Sequence, residues 1–288
     1  MVNYKSIKLS PGLYFVSTPI GSARDITLRA LDILANADVL AAEDTRTLKK
    51  LLEIHEIPMK NRILISYHDH NGSKARPKLL AHLEQGKSIA YTSEAGTPLI
   101  ADPGFSLLTG VISAENNVTS APGPCALIAA LTVGGLPTDR FCFEGFLPNN
   151  KSQRELKFRQ LQSYRGTLVF YESAKRLKDT LVKALEIFGE TRQAVVCREI
   201  TKKFEDIKRG NLKELSAFYS DKNVKGEIVL LIAGAVDSDI DQNKIEQYVK
   251  DALRSMSVKD SAEAVALAFN VPRRDVYQIA LKIKSDGD

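Results

Sequence analysis

The sequence predicts two α/β domains followed by a small helical appendage, and three observations carry that prediction. Short, near-continuous apolar runs alternate with helix-patterned stretches, as strands buried on both faces and their crossover helices require. The chain is 288 residues long, more than one domain usually holds. Beyond Asp241 the strand signal stops and only helical patterning continues.

The elements follow in order. In the first domain residues 13–18, 39–42, 63–67, 88–92 and 118–121 have the composition of buried strands. Helical spacing of apolar residues covers 26–35, with Asp25 as N-cap, then 45–54, 73–85 and 105–115. Repeated β-α units imply a parallel sheet. A helix over 126–136 leads into Leu136-Pro137-Thr138-Asp139, which has the character of a joint. A second set of elements begins at Phe141, with strands at 167–171, 193–198, 204–209 and 227–232 and helices at 152–162, 177–188 and 212–220. A helix over 261–269, Asn270, and Pro272 near a new helix start complete the appendage. The boundaries are set at 1–122, 123–236 and 237–288.

Composition narrows the function classes. With 44% hydrophobic and 26% charged residues this is an ordinary globular chain. It has no secretory h-region and no apolar run long enough to span a bilayer, so a soluble, cytoplasmic protein with no membrane partner is expected. Three cysteines, Cys125, Cys142 and Cys197, form no C-x-x-C pair, which argues against disulfides and structural zinc. The net charge of +5 permits a phosphate-rich partner without demanding one.

Glycine and proline carry the functional signal. Thr18-Pro19-Ile20-Gly21, Ser93-Glu94-Ala95-Gly96-Thr97-Pro98, Asp102-Pro103-Gly104 and Ala121-Pro122-Gly123-Pro124-Cys125 all follow expected strands of the first domain, so they line one sheet edge. That edge is where open α/β sheets bind ligands, and such loops bring backbone groups close to a ligand on a fixed path. No G-x-G-x-x-G follows the first strand and no P-loop pattern occurs, which disfavours the ordinary dinucleotide and nucleotide-triphosphate sites.

Those loops, together with Ala41-Ala42-Glu43-Asp44-Thr45-Arg46, His68-Asp69-His70-Asn71, Phe170-Tyr171-Glu172-Ser173, Arg198-Glu199-Ile200-Thr201-Lys202 and Lys225-Gly226-Glu227-Ile228, resemble the ribosomal RNA small subunit methyltransferase I family over residues 12 to 234. Glu94 stands where an aspartate is common in that family. The resemblance implies the tetrapyrrole-methylase-like fold, the class III S-adenosylmethionine methyltransferase fold, with the donor between two α/β domains. It implies 2′-O-methylation of a cytidine ribose in the decoding region of 16S ribosomal RNA, on the small subunit, by a homodimer. It also implies a donor site at Pro19, Gly21, Ser93, Ala95, Gly96, Thr97, Ile100, Pro122, Gly123 and Pro124, completed by Phe170, Tyr171, Arg198, Glu199, Glu227 and Ile228. The alternatives are a tetrapyrrole methylase of the same fold and, from another class, a non-catalytic ribosome-binding or assembly protein.

Methyl transfer abolishes the sulfonium charge in the transition state, so small apolar surfaces suit the donor and carboxylates belong with the acceptor. A ribose hydroxyl needs a base within reach. Glu43, Asp44, His68 and Asp69 end the second and third strands and are the candidate catalytic groups, although Glu43 and Asp44 have a structural alternative in pairing with Arg46 and capping the next helix. His68 and His70 lack the further ligands a zinc ion would need, so no metal is expected. Arg46, His70, Asn71, Lys151, Arg154 and Arg176 are the candidate RNA contacts. Lys151, Arg154, Lys157, Arg159 and Arg165 face the single acid Glu155 within their own stretch, as a phosphate-binding strip would.

Overall fold

The computed structural model describes residues 3–235, 242–269 and 271–285. Strands β1 (Gly12–Val16), β2 (Val39–Ala42), β3 (Ile63–Ser66), β4 (Ser88–Thr92) and β5 (Val118–Ala121) form one sheet in the order β3-β2-β4-β1-β5, parallel throughout. The two-residue period of the strands sorts its side chains. Val16, Leu40 and Ala90 meet helices α1 (Leu28–Asn36) and α2 (Thr45–Ile54) on one face. Leu13, Phe15, Ile89 and Tyr91 meet α3 (Gly72–Glu84) and α4 (Phe105–Ser113) on the other. With both faces covered, all carboxyl ends of the strands point to one edge.

Helix α5 (Ala126–Gly134) leads to the second sheet. That sheet comprises β6 (Phe141–Phe146), β7 (Thr167–Ser173), β8 (Gln193–Arg198), β9 (Asp206–Asn211) and β10 (Glu227–Ile232) in the order β6-β7-β10-β8-β9. Only β6 and β7 run parallel; the other neighbours are antiparallel. Helices α6 (Lys151–Leu161), α7 (Leu177–Phe188) and α8 (Leu212–Tyr219) bury Phe158, Phe170, Leu181 and Leu230 against its outer face. Its inner face holds Val169, Val195 and Leu231 against α5, and Ile20 and Ile100 of the first lobe join that cluster. The lobes therefore share a core through α5. Helices α9 (Gln242–Ala252), α10 (Val258–Phe269) and α11 (Arg273–Ser285) bury Val249, Ala262, Val276 and Ala280 among themselves.

Three details depart from expectation. The N-cap of α1 is Thr27, whose Oγ1 accepts from the Ala30 amide, and not Asp25; the helix starts later because Thr27 is the extended residue at its mouth. Strand β9 starts at Asp206, since residues 199–205 form a loop with left-handed backbone at Glu199 and Thr201. Helix α9 is additional: Ile245 and Val249 are buried in the tail cluster and Ala252 packs against it, an i, i+4, i+7 spacing that the expected elements leave out. The expected boundary at 236/237 and Asn270 lie outside the described residues.

Candidate active site at the carboxyl edge of the first sheet

Strands β1, β4 and β5 are neighbours, so the loops that follow them converge. Thr18 and Gly96 exchange two backbone hydrogen bonds of 2.9 and 3.0 Å. The Ser17 hydroxyl donates to Thr97 Oγ1 at 3.1 Å, and Thr97 Oγ1 donates to the Pro124 carbonyl at 2.8 Å. Gly123 is held so close that a Cβ there would lie 2.9 Å from that of Ser17, and Gly96 has a φ of 80°. Ala95, Pro122 and Gly123 are nevertheless exposed, so the cradle offers bare backbone to its surroundings. The hydroxyls of Thr18 and Thr92 are buried beside it with no partner among the described residues.

Next to the cradle the acidic groups divide. Asp44 caps α2, accepting from the Arg46 and Thr47 amides at 2.7 and 3.4 Å, and pairs with the Arg46 guanidinium at 2.7 Å. The hydrogen bonds from Arg46 hold its carboxyl down at about 2. The capping alternative therefore describes Asp44, whose lone pairs serve the helix. Glu43 turns the other way and accepts from the Glu94 amide at 3.1 Å. Asp102 was not among the sequence candidates, because Asp-Pro-Gly is also an ordinary turn signal. Burial pushes its carboxyl up to about 6, the charges of Glu43 and Glu94 add to the rise, and the Ser93 hydroxyl opposes it. Left-handed Leu99 and Ala101 lead into it, and the Tyr91 hydroxyl donates to the Pro103 carbonyl at 3.0 Å. Backbone strain concentrated at one carboxylate was not visible in the residue pattern.

Residues after β3 complete this side. Asn71 accepts from the His68 amide at 2.9 Å and donates to the Ser66 carbonyl at 3.0 Å, so its side chain shapes the turn. The turn leaves His68 Nδ1 buried without a partner among the described residues. Asp69 and His70 are exposed, with the His70 ring centroid 6.0 Å from that of His68.

The comparisons agree with this geometry. A family model described as Tetrapyrrole (Corrin/Porphyrin) Methylases matches residues 12–216, and one described as RsmI C-terminal HTH domain matches 239–284. The Ribosomal RNA small subunit methyltransferase I of Mesorhizobium japonicum is 40% identical over 284 residues, covering 97% of this chain and 96% of that protein. The protein of the same name from Escherichia coli O157:H7 is 40% identical over 292 residues, covering 98% and 99%. The chain belongs to the ribosomal RNA small subunit methyltransferase I family. A uroporphyrin-III C-methyltransferase from Thermus thermophilus, solved in complex with S-adenyl homocysteine, shares the fold with a TM-score of 0.54 at 17% identity, over 77% of this chain and 97% of that one.

In this member of the ribosomal RNA small subunit methyltransferase I family the second lobe reassigns several expected residues. Phe170 and Ile228 sit in the outer core, 0% and 3% exposed, because strand alternation turns them away from the first lobe. Their side chains therefore point away from the donor site that the resemblance assigns them to; Tyr171 faces the first lobe, its hydroxyl accepting from the Leu127 amide at 3.2 Å and its ring lying 4.8 Å from Phe143. Glu199 accepts from the Glu227 amide and from Lys202, and Lys202 also pairs with Glu227 at 2.8 Å, so these three form a closed network. Arg198 lies near Asp206, at 3.9 Å.

The basic strip is also revised. Arg154 is only 3% exposed and donates to the Pro148 carbonyl, which removes it from any RNA face. Arg176 pairs with buried Glu172 at 2.6 Å and donates to the Leu147 carbonyl at 2.9 Å, a structural clamp. Lys157 pairs with Glu144 and Lys151 with Asp179, acids from other elements that the linear pattern did not reveal. Arg46 and Lys151 keep 90% and 82% of their side chains exposed. Among the described residues no group of three or more His, Cys, Asp or Glu side chains is arranged to hold a metal ion, and no helix is long and apolar enough to cross a membrane.

Proposed function

We propose that this methyltransferase moves a methyl group from S-adenosylmethionine to the ribose 2′-oxygen of a cytidine in 16S ribosomal RNA of the small subunit. The family supports methylation of that RNA with this donor. The cytidine and the 2′-oxygen are our own finer reading. The observation that carries the hydroxyl acceptor is a half-buried carboxylate, Asp102, beside a cradle of exposed Gly/Pro backbone; the cytidine follows from the family resemblance alone.

The cradle fits the donor: 95–98 and 122–124 contain no carboxylate, and the buried Thr18 and Thr92 hydroxyls await polar partners. When bound, S-adenosylmethionine supplies an electrophilic methyl on a positively charged sulfur. A wall without charge avoids stabilising that sulfonium before reaction. With donor bound, Asp102 would be the group that takes the hydroxyl proton, the ribose oxygen gaining the methyl while the methyl–sulfur bond breaks and the sulfur leaves as the neutral thioether; a carboxyl near 6 is ionised at neutral pH yet more basic than a solvated one. Glu43 orients the loop through the Glu94 amide and keeps Asp102 basic by its charge. His68 and Asp69 flank the acceptor, and exposed Arg46 and Lys151 meet phosphates. We also propose that the protein works in the cytoplasm, where its substrate is, and as a homodimer.

Small subunits lacking the modification and a porphyrinogen are the two substrates to compare, with radiolabelled donor. Label in the RNA and none in the macrocycle is expected. Label in the macrocycle alone would overturn the reading, and so would donor binding without transfer to either.

A further inference from the structure

Between the His68 turn and the start of α4 lies a cavity of about 300 Å³, lined in part by His68, Asp69, Arg76, Asp102 and Phe105. Asp102 links it to the reaction centre described above, but its outer half has no role in methyl transfer. Phe105 opens α4 with 71% of its surface exposed, an apolar ring left uncovered at the rim of a polar cavity. Its N-cap is Gly104, which supplies no side-chain cap; the Leu107 amide turns back to the Gly104 carbonyl, and the Phe105 and Ser106 amides are left to meet an anion. Arg76 crosses from α3 with its Cδ 3.3 Å from where a Cβ on Gly110 of α4 would be, and among the described residues it has no ion pair. The buried Nδ1 of His68 has no partner among the described residues.

An aromatic face, a guanidinium, a helix N-terminus and an imidazole around one cavity match the parts of a single nucleotide. We infer that this cavity binds the unpaired nucleotide adjacent to the methylated one, its base stacked on Phe105, its phosphate held by Arg76 and the α4 amides, and its base edge facing His68. The adjacent nucleotide is favoured over the target itself because Asp102 is assigned to the reacting ribose, whereas exposed Phe105 at the start of α4 takes no part in the transfer and is open to a neighbouring base. The carboxylates of Asp69 and Asp102 repel a second phosphate, and that of Asp69 suits an exocyclic amine. The inference rests on the RNA reading given above.

The test measures methylation of small subunits by the full-length wild type and by Phe105→Ala, Phe105→Trp and Arg76→Ala, with donor affinity followed separately by calorimetry. Removing the ring should raise KM for the subunit about tenfold or more, the loss of one stacked base, while donor affinity stays at the wild-type value. Tryptophan should restore KM. Arg76→Ala should reduce the slope of log KM against log salt by about one charge. An unchanged KM for Phe105→Ala, or an equal loss of donor affinity, would overturn the inference. If the wild type itself transfers nothing to the subunit, the RNA reading falls and this inference falls with it.

Discussion

Asp44 and Asp102 stand at the same sheet edge, and their surroundings push them in opposite directions. Hydrogen bonds from Arg46 hold Asp44 at about 2, whereas burial lifts Asp102 to about 6. The kinetic consequence is that methyl transfer should rise with pH through an apparent pKa of about 6 and then level off, and Asp102→Asn should remove that limb and lower kcat by roughly 10²–10⁴. The signs for stability differ. Asp102, raised above the ordinary value of 3.8, favours the folded state when protonated, so its contribution is lost as pH climbs from about 4 to about 6. Asp44, lowered from 3.8, favours the folded state when ionised, so its contribution is present above about 4 and lost as pH falls towards about 2. Urea midpoints of the wild type and Asp102→Asn across pH 4–7 check the first of these: the two curves should converge at the acid end. Glu43, Asp44 and His68 were legible as candidates because they end strands of a parallel sheet. Asp102 was not, since its basicity comes from burial and from charges brought near by folding.

At the scale of elements, the convergence of the β1, β4 and β5 loops follows from strand order alone, and the small residues there are set by close approach. Gly123 is the sharpest case. Its environment permits an ordinary backbone but leaves no space for a methyl group, because the Ser17 Cβ would be 2.9 Å away. Gly123→Ala should therefore displace the 122–124 loop and weaken binding of the methyl donor by about tenfold, or about 1.4 kcal/mol, while costing about 1–3 kcal/mol in stability. Calorimetry with S-adenosylmethionine and thermal unfolding measure the two effects; undiminished affinity would show that this loop does not touch the donor. Elements buried on both faces, such as β2 and β4, were legible because every residue is apolar or small. The start of β9 was not, because Phe204, which looks like a strand residue, is 64% exposed in the preceding loop. Helix α6 shows the same limit for charge: Lys157 and Lys151 look unopposed along the chain, but β6 and α7 bring Glu144 and Asp179 to them.

The molecule as a whole joins a parallel lobe to a largely antiparallel one through α5. Leu127 and Leu131 of that helix pack on the inner face of the second sheet, while Ile20 and Ile100 reach the same cluster from the first lobe. A second contact closes the gap: the Ser22 amide donates to Thr201 Oγ1 at 3.3 Å, across a point where Gly21 leaves no space for a side chain. The two α/β lobes and the helical tail could be anticipated from periodicity. The face each strand of the second lobe turns to the first could not, because it depends on which of two adjacent hydrophobic residues points inward, as Phe170 and Tyr171 illustrate. What this assembly is proposed to do is bring an acceptor ribose to a basic carboxylate beside an uncharged cradle. The most direct measurement is mass spectrometry of nucleosides released from small subunits methylated by the wild-type protein. The account predicts a single product, cytidine carrying the new methyl on its ribose 2′-oxygen, formed roughly 10²–10⁴ times more slowly with Asp102→Asn. A methyl group on a base, or on the ribose of another nucleoside, would contradict it.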